Sequence, residues 1–558
     1  MLRARPSPPL WFAFALGIGL FVLSPGGRAE VEAPAASKAV SSEHPIVTQA
    51  AIDVLKAGGN AADAAVVAAL VAGVVAPTSS GLGGGGFALV LKPRAAAPEV
   101  LDFRETAPSA VDTEALSRGS LPPEQRAKAV GVPGEPLGLF EIAKRFGQKP
   151  WASLAAAAER HAARGFPVSA YLSKALQGRP GTTGVLAKEP SLFALFFPGG
   201  KPAIAGRIVR NPKLAKTLRR LGAEGPAAIY DGAIAAEISR TVASAGGALS
   251  ADDLKRYRVV DRRPLRARFG DYDVYTMPAP SAGGLLLAQT LGMFSATELE
   301  RLGWGSGALM HLLAECFRAS FADRLRYVGD PAFVPVDTDL LLAPERLGRI
   351  RRMLSIDRTH TLRRFVVEEH GTHHLVVQDG EGMVVSLTTT VNSSFGAKLV
   401  TPESGIVLND QLNDFNEFSD FTRVGLTMGP NLPRAGARPV SSMTPTIVLR
   451  NGRPVLALGG SGGMTISTNV TQLLLGRLIF ERTPNELVND PRFYVAMRGA
   501  LWVDPTVPPA VVADLARRGE LVETTPFLTS GVQIVAGEHG ALEAAADPRK
   551  QGAAQTLP

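Results

Sequence analysis

The pair Gly371-Thr372 has the residue types needed for nucleophilic acyl transfer. A threonine hydroxyl is a weak nucleophile unless a base lies beside it, and an N-terminal threonine supplies that base as its own α-amine. The pKa of such an amine is near ~7.7 in model compounds, which suits a general base at neutral pH. Glycine before the threonine removes steric bulk at the bond to be broken. We therefore expect Thr372 to attack the preceding carbonyl, so that the chain cleaves itself between Gly371 and Thr372.

A Gly-Thr dipeptide alone is more typical of an ordinary strand or turn, so the surrounding residues decide. Residues 371–377 are followed by Asp379, Gly382, the run 388–392 and Phe395-Gly396. This window resembles the processing site of the γ-glutamyltranspeptidase family, within the N-terminal nucleophile hydrolase superfamily. The resemblance implies an α+β fold, namely a four-layer αββα sandwich with two stacked antiparallel sheets.

The same resemblance implies roles for residues that follow the nucleophile. Thr390, on a strand predicted at 384–391, would hydrogen bond the nucleophile hydroxyl, and His374 would be a positioning residue. The backbone amides of Gly462 and Gly463 would form the oxyanion hole, where losing one donor commonly lowers the rate by ~10²–10³. Threonines are also common in strands that have no catalytic role.

Other polar residues could hold a free amino-acid head group. An arginine at a strand end can bind a carboxylate through two parallel hydrogen bonds, and a carboxylate with amide oxygens suits an ammonium group. Without the family pattern, a structural ion pair would be the simpler role for such an arginine. The resemblance assigns Arg104, Ser441 and Ser442 to the α-carboxylate of a γ-glutamyl group, and Asn392, Gln411 and Asp414 to its α-amine.

The beginning of the chain predicts export. Arg3 and Arg5 precede an apolar run at 10–23, which is shorter than the ~20 residues that a membrane span usually needs. We predict a signal peptide at 1–29, with an uncleaved membrane anchor as the alternative. Self-cleavage would divide the rest into a large chain, residues 30–371, and a small catalytic chain, residues 372–558, which together form one fold.

Two further features could suggest a nucleotide or nucleic-acid ligand, but the surrounding sequence does not support either. Gly81, Gly83 and Gly86 match a dinucleotide fingerprint, which requires a preceding strand and a following helix. Here two helices predicted within 50–76 come first and a strand at 87–91 follows, so we predict a glycine-rich turn. A net charge of +8 could suggest nucleic acid, yet Lys and Arg are spread along the 558 residues and no nucleic-acid motif accompanies them.

A metal site is also not expected. His370, His373 and His374 surround the predicted cleavage site, but Gly371 interrupts any helical ligand spacing and no cysteine accompanies them. We therefore predict no metal and no cofactor. Cys316 is the only cysteine, so an internal disulfide is impossible, and we expect it to pack inside a helix.

Two later segments carry weaker expectations. The connection between Asp414 and Ser441 is long enough to suggest a lid over the site. The tail up to Ala554 again resembles the family, and we expect the residues beyond it to be disordered.

The resemblance covers nearly all of the mature chain and implies a periplasmic or secreted enzyme with small-molecule partners. It would cleave the γ-glutamyl amide of glutathione through a γ-glutamyl ester on Thr372, then pass the acyl group to water, an amino acid or a peptide. Two alternatives remain: a related acylase acting on cephalosporins, glutaryl amides or poly-γ-glutamate, and a non-catalytic secreted binding protein. Arg104, Asp414 and the serine pair favour the glutamyl head group.

Overall fold

A computed structural model describes residues 37–119, 121–178, 182–360, 371–423, 425–496, 499–525, 530–538 and 540–558. They belong to one compact unit, residues 35–558. The predicted signal peptide and His370 lie outside the described residues. Within those residues, each helix is too short or too polar to cross a bilayer.

The strands within the described residues are short. In chain order they are β1 (Lys38–Ser42), β2 (Gly85–Leu91), β3 (Glu99–Phe103), β4 (Phe166–Pro167), β5 (Ile208–Val209), β6 (Val260–Arg262), β7 (Leu265–Phe269), β8 (Tyr272–Thr276), β9 (Gly371–Gln378), β10 (Val384–Asn392), β11 (Leu399–Val400), β12 (Val407–Leu408), β13 (Thr446–Arg450), β14 (Arg453–Ser461), β15 (Phe493–Val495), β16 (Leu501–Val503), β17 (Val522–Thr524), β18 (Gly531–Ala536), β19 (Glu543–Ala546) and β20 (Ala553–Leu557).

The α-helices are α1 (Pro45–Lys56), α2 (Ala61–Val75), α3 (Thr113–Arg118), α4 (Glu135–Phe146), α5 (Trp151–Arg164), α6 (Ala170–Gln177), α7 (Thr182–Lys188), α8 (Pro190–Phe196), α9 (Pro212–Glu224), α10 (Ala227–Tyr230), α11 (Gly232–Ser244), α12 (Ala251–Arg256), α13 (Gly283–Met293), α14 (Ala296–Glu300), α15 (Gly307–Tyr327), α16 (Thr338–Leu342), α17 (Pro344–Met353), α18 (Phe418–Arg423), α19 (Thr465–Leu478), α20 (Pro484–Asn489) and α21 (Pro509–Arg517). Short 3₁₀ turns occupy Pro123–Ala129, Pro198–Gly200, Gln411–Asp414 and Pro548–Lys550.

Two antiparallel sheets form the framework. The larger has the order β20-β1-β9-β10-β2-β3-β6, and the smaller has the order β19-β18-β14-β13-β8-β7. Along β9 the side chains alternate between faces: Leu375 and Val377 pack with helices α2, α4 and α5, whereas Val376 packs between the sheets. Helices α13, α15 and α19 complete the second core. This confirms the four-layer αββα sandwich that the resemblance implies.

The first two helices are confirmed, with an earlier start for α1. It begins at Pro45 because the His44 ring Nδ1 accepts the Ile46 N–H at 3.2 Å and proline suits the first helical position. Helix α2 begins with a reciprocal cap between Asn60 and Asp63. Nearly every residue of α2 is buried, which explains its richness in alanine.

The glycine-rich turn is confirmed as structural. A Cβ on Gly84 would lie 2.1 Å from the Thr390 carbonyl oxygen, and one on Gly86 would lie 2.1 Å from that of Thr388. Glycine thus lets β2 approach β10 at the end that carries Thr390. Cys316 is buried within α15, as expected.

The expectation of disorder beyond Ala554 is wrong. Residues 553–557 form β20, which pairs antiparallel with β1 at the edge of the larger sheet. The local sequence Ala-Ala-Gln-Thr-Leu has little strand propensity of its own. Its order comes from a strand that lies more than 500 residues earlier in the chain, which local sequence patterns do not reveal.

Two helical glycines should respond oppositely to alanine. A Cβ on Gly138 in α4 would lie 2.2 Å from Phe103 Cγ, so Gly138→Ala should lower the free energy of unfolding by about 1–3 kcal/mol. The matched change Gly348→Ala in α17 meets only Arg352 Nη1 at 3.6 Å and should raise it by up to ~1 kcal/mol. Urea unfolding of both variants tests this, and equal shifts would contradict it.

Candidate active site

The Thr390 hydroxyl contacts both groups that would react in the predicted cleavage, the Thr372 hydroxyl and the Gly371 carbonyl. Thr390 lies directly opposite Thr372 in the β9–β10 pair. Its Oγ1 donates to the Gly371 carbonyl oxygen at 2.7 Å and lies 3.2 Å from Thr372 Oγ1. It also accepts the Asn392 N–H at 2.9 Å. Since a hydroxyl has one proton and two acceptor positions, Thr372 Oγ1 must be the donor in its contact with Thr390.

A bulge in β10 makes the last of these contacts possible. The pairing register shifts between Thr390 and Asn392, and Asn392 has a φ of 72°. This irregularity turns the Asn392 N–H back to Thr390, while the Asn392 side-chain amide donates to the Asp410 carbonyl at 3.0 Å. Asn392 therefore links the end of β10 to the segment that carries Gln411 and Asp414.

Along residues 371–374, the edge of β9 that faces away from β10 lacks a neighbouring strand within the described residues. Strand β1 ends at Ser42, which lies opposite Leu375. Two side chains take the place of the missing strand. The Glu43 carboxylate accepts the His374 N–H at 3.0 Å, and Lys550 Nζ donates to the Thr372 carbonyl oxygen at 3.3 Å. These contacts satisfy backbone groups that would otherwise be buried and unpaired.

Glu43 and Lys550 also form a buried ion pair, with 3.6 Å between Lys550 Nζ and Glu43 Oε2. Burial raises the pKa of the Glu43 carboxyl, and the Lys550 charge opposes that rise. Burial alone would lower the pKa of Lys550, but Glu43, together with Tyr171 and Asp547, more than offsets this effect and the pKa is raised. Lys550 is therefore a cation next to the Thr372 carbonyl group.

His374 is a neutral packing partner behind the nucleophile. Its Nδ1 lies 2.8 Å from Thr388 Oγ1, and burial lowers its pKa to about 3. A Cβ on Gly459 would lie 2.2 Å from the ring, so glycine there lets β14 reach this strand. His373 points to the other face of β9, as alternation requires, and burial lowers its pKa well below 6.5.

Two of the three residues predicted for the α-amine are in direct contact, while the third, Asn392, binds the neighbouring Asp410 carbonyl. Gln411 and Asp414 lie on one 3₁₀ turn, where Gln411 Nε2 donates to Asp414 Oδ2 at 2.7 Å. The same carboxylate oxygen accepts a hydrogen bond from Arg104 Nη2, so the two predicted ends of the site touch each other. Burial raises the pKa of Asp414, and the charges of Arg104 and Arg324 oppose this.

Arg104 follows the end of β3 and is almost fully buried. Its Nε donates to the Pro439 carbonyl at 3.2 Å, and its Nη2 lies 3.3 Å from the Val440 carbonyl. These bonds place the guanidinium beside the segment that leads into Ser441 and Ser442. Both serines are buried, and Ser441 Oγ accepts the Met443 N–H at 3.0 Å.

Gly462 and Gly463 form the link between β14 and α19. Both have positive φ, 121° and 65°, which favours glycine. The Gly462 carbonyl accepts the Thr465 hydroxyl at 2.7 Å, and the Gly463 carbonyl accepts the Ile466 N–H at 3.0 Å. This turns the loop into the start of α19, where backbone N–H groups favour negative charge.

The connection predicted as a lid packs against the site. Asn431 Nδ2 donates to the Asp414 carbonyl at 2.8 Å, and Asn431 Oδ1 accepts the Val440 N–H at 3.0 Å. Phe421 of α18 is fully buried against Gly429. The segment is thus anchored at both of its ends, near Asp414 and near the serine pair. Whether it opens stays a prediction.

Sequence reasoning missed three residues that touch this site: Glu43, Lys550 and Arg324. Glu43 lies in an unremarkable stretch before α1, and no local pattern marks it. Lys550 follows Asp547-Pro548-Arg549 in the tail that resembles the family, so its position was a usable signal. Arg324 ends a run, Ala322-Asp323-Arg324, that a helix pattern alone treats as a solvent-facing terminus, yet it is buried.

Comparison with known proteins agrees with this geometry. Residues 47–557 match the family described as Gamma-glutamyltranspeptidase. The glutathione hydrolase proenzyme of Pseudomonas aeruginosa is 33% identical over 565 residues, covering 98% of each chain. The Acylase ACY 1 proenzyme of Pseudomonas sp. (strain SE83) is 32% identical over 529 residues, covering 92% of each. Cephalosporin acylase from Bacillus halodurans has the same fold, with a TM-score of 0.83 at 26% identity, covering 96% of this chain and 99% of that chain.

Stacked antiparallel sheets between helical layers, with a glycine–threonine bond at the start of an inner strand, define an N-terminal nucleophile hydrolase. The chain belongs to the gamma-glutamyltranspeptidase family.

The effects of substitutions at Glu43 and Lys550 on the free energy of unfolding should be strongly coupled. Lys550→Met leaves a buried carboxyl group without its cation and should lower the free energy of unfolding by about 3 kcal/mol or more. Adding Glu43→Gln should recover about 1–3 kcal/mol of that loss, because the unpaired charge is removed. Urea unfolding of the two single variants and the double variant measures the coupling. Lys550→Arg, which keeps the charge, is the control, and strictly additive losses would contradict the pairing.

Proposed function

We propose that this protein is a self-processing γ-glutamyltransferase and glutathione hydrolase. The observation that carries the proposal is the Thr390 hydroxyl, which contacts both Thr372 Oγ1 and the Gly371 carbonyl oxygen. This arrangement brings the nucleophile and the electrophile of the cleavage step to one hydrogen-bonding group. It also polarises the carbonyl in the direction that attack requires.

Processing would proceed by an N-to-O acyl shift. Thr372 Oγ1 attacks the Gly371 carbonyl carbon, the hydroxyl proton passes to the Thr372 nitrogen, and the peptide bond is exchanged for an ester. Water then hydrolyses the ester, leaving a Gly371 carboxylate and a free Thr372 amine. The products are the large chain, residues 30–371, and the small chain, residues 372–558, which remain together because β9 and β10 lie inside a sheet built from both.

The mature site would use the freed amine of Thr372 for turnover. The Thr372 amine takes the hydroxyl proton as Oγ1 attacks the γ-carbonyl of the substrate, and the leaving amine then receives a proton. The Gly462 and Gly463 amides would stabilise the oxyanion. Water or an amino acid then takes the acyl group from Thr372. The neighbouring Lys550 cation favours an unprotonated amine, which is the form that acts as the base.

The head group of the substrate would separate the ion pair between Arg104 and Asp414. Arg104, with Ser441 and Ser442, would turn to the α-carboxylate, while Asp414, Gln411 and Asn392 would hold the α-ammonium group. Because Arg104 and Asp414 contact each other directly, a zwitterionic head group replaces one buried ion pair by two. A substrate that lacks either charge leaves one partner poorly satisfied.

Export is part of the proposal. Residues 1–29 would direct the chain to the periplasm or outside the cell and would be removed there. The relatives named as proenzymes support synthesis as one chain that is cut later.

Replacing the nucleophile should prevent cleavage. Purified protein should contain two fragments, the smaller starting at Thr372, whereas Thr372→Ala should remain one intact chain because it lacks the attacking hydroxyl. Thr372→Ser keeps a hydroxyl and is the matched control, which should still be cut. Intact mass and N-terminal sequencing measure the outcome. An uncut wild-type chain would refute self-processing and favour a non-catalytic binding protein.

A related acylase is the second candidate, supported by the similarity to cephalosporin acylase across the whole fold. Glutaryl substrates lack the α-amine that Asp414 would bind.

We therefore expect the protein to prefer γ-glutamyl-p-nitroanilide to glutaryl-p-nitroanilide. Asp414→Asn should lower kcat/KM for the γ-glutamyl compound at least ~30-fold, since a buried charged partner is worth about 2 kcal/mol or more. The same variant should change glutaryl turnover little. The reverse preference would favour the acylase.

A further inference from the structure

Arg324 is a second buried guanidinium beside the serine pair. It lies near the end of α15, in the large chain, and is 5% exposed. Its Nη1 donates to Ser442 Oγ and lies 3.5 Å from the Ser441 carbonyl oxygen. Arg104 reaches the same segment through the carbonyls of Pro439 and Val440. Two arginines from distant parts of the chain thus converge on four consecutive residues.

The contact with Arg324 determines how the Ser442 hydroxyl can act. A hydroxyl can donate one proton and accept two hydrogen bonds, while a guanidinium can only donate. Arg324 therefore makes Ser442 Oγ an acceptor on that side. The hydroxyl proton is directed at Met464 Sδ, 3.1 Å away, and a thioether sulfur is a weak acceptor. A carboxylate can replace the sulfur with a net gain, because charge-assisted hydrogen bonds are the stronger ones.

The charge of Arg324 also reaches the other end of the site. Burial raises the pKa of Asp414, and the charge of Arg324, together with that of Arg104, limits this rise. Asp414 must be ionised to bind an ammonium group. A neutral residue at position 324 would therefore act mainly on the serine half of head-group recognition, by loss of a direct contact, and only to a small extent on the Asp414 half, through space.

We propose that Arg324 is a positioning residue for substrate recognition: it holds Ser442 Oγ as an acceptor, so that the serine proton is available to the α-carboxylate of the substrate. The proposal rests on the γ-glutamyl substrates proposed above. The head-group residues proposed above lie in the small chain, apart from Arg104. Arg324 would add a residue from helix α15. Arg324 acts through Ser442 and is not expected to touch the reacting atoms.

The test uses Arg324→Met in the full-length, processed protein. For γ-glutamyl-p-nitroanilide, KM should rise about tenfold or more while kcat changes less than about threefold, because the scissile bond and Thr372 are untouched. The inhibition constant of L-glutamate, measured as a competitive inhibitor, should rise by a similar factor. 4-Aminobutanoate is L-glutamate without its α-carboxylate, and its inhibition constant should rise much less.

A double variant separates positioning from a general structural effect. If Arg324 acts through Ser442, then Arg324→Met with Ser442→Ala should raise KM no more than the larger of the two single changes. Arg318→Met is the matched control, since Arg318 is a partly buried, ion-paired arginine on the same helix that binds Glu520 instead. It should alter thermal stability without the selective loss of L-glutamate binding.

Three results would overturn the proposal: an unchanged KM, equal weakening of both inhibitors, or additive effects in the double variant. If Arg324→Met does not fold, Arg324→Lys provides the comparison, because lysine retains one donor and the charge but not the guanidinium geometry. It should show a smaller rise in KM with the same preference between inhibitors. If the wild-type protein binds L-glutamate in calorimetry but does not cleave the anilide, only the proposed function is refuted. The L-glutamate affinities of the wild-type protein and Arg324→Met would then test the role of Arg324.

Discussion

The structure depends on one hydrogen-bonded hydroxyl, that of Thr390. It connects the Thr372 hydroxyl oxygen, the Gly371 carbonyl oxygen and the backbone beyond a bulge in β10. With one donated and two accepted bonds, the hydroxyl has no capacity left for water or for another side chain. The two sheets and the glycine-rich turn below them hold the strands so that Thr390 and Thr372 face each other.

The edge of β9 shows a second constraint, which is the need to pair buried backbone groups where a strand has ended. At residues 372 and 374, side chains perform this pairing. A carboxylate and an ammonium suit this position, because one only accepts and the other only donates. The arrangement requires a buried ion pair, which is rarely stabilising by itself, and its value lies in fixing the peptide groups around the nucleophile.

Much of the fold and site was predictable from local patterns. The two helices predicted within 50–76 are present, and the family resemblance placed the Thr390 hydroxyl next to that of Thr372, where the structure has it. The family pattern brought Gln411, Asp414 and Arg104 into one site, and the structure places them in contact. Local sequence patterns did not reveal β20, Glu43 or Arg324, because each acquires its role from a partner more than a hundred residues away.

The sequence by itself determined which residues are available for the proposed chemistry: a glycine–threonine bond whose cleavage would leave an amine beside a hydroxyl, and charged groups that suit an amino-acid head group. Residue identity and spacing carry this information because nucleophilicity, charge and backbone freedom are properties of single residues and their neighbours. Only the tertiary structure decided that Arg104 pairs with Asp414, that Lys550 holds the Thr372 carbonyl and that Arg324 reaches Ser442. These contacts depend on how sheets and helices stack, since burial and distance between remote residues arise only when the whole chain packs.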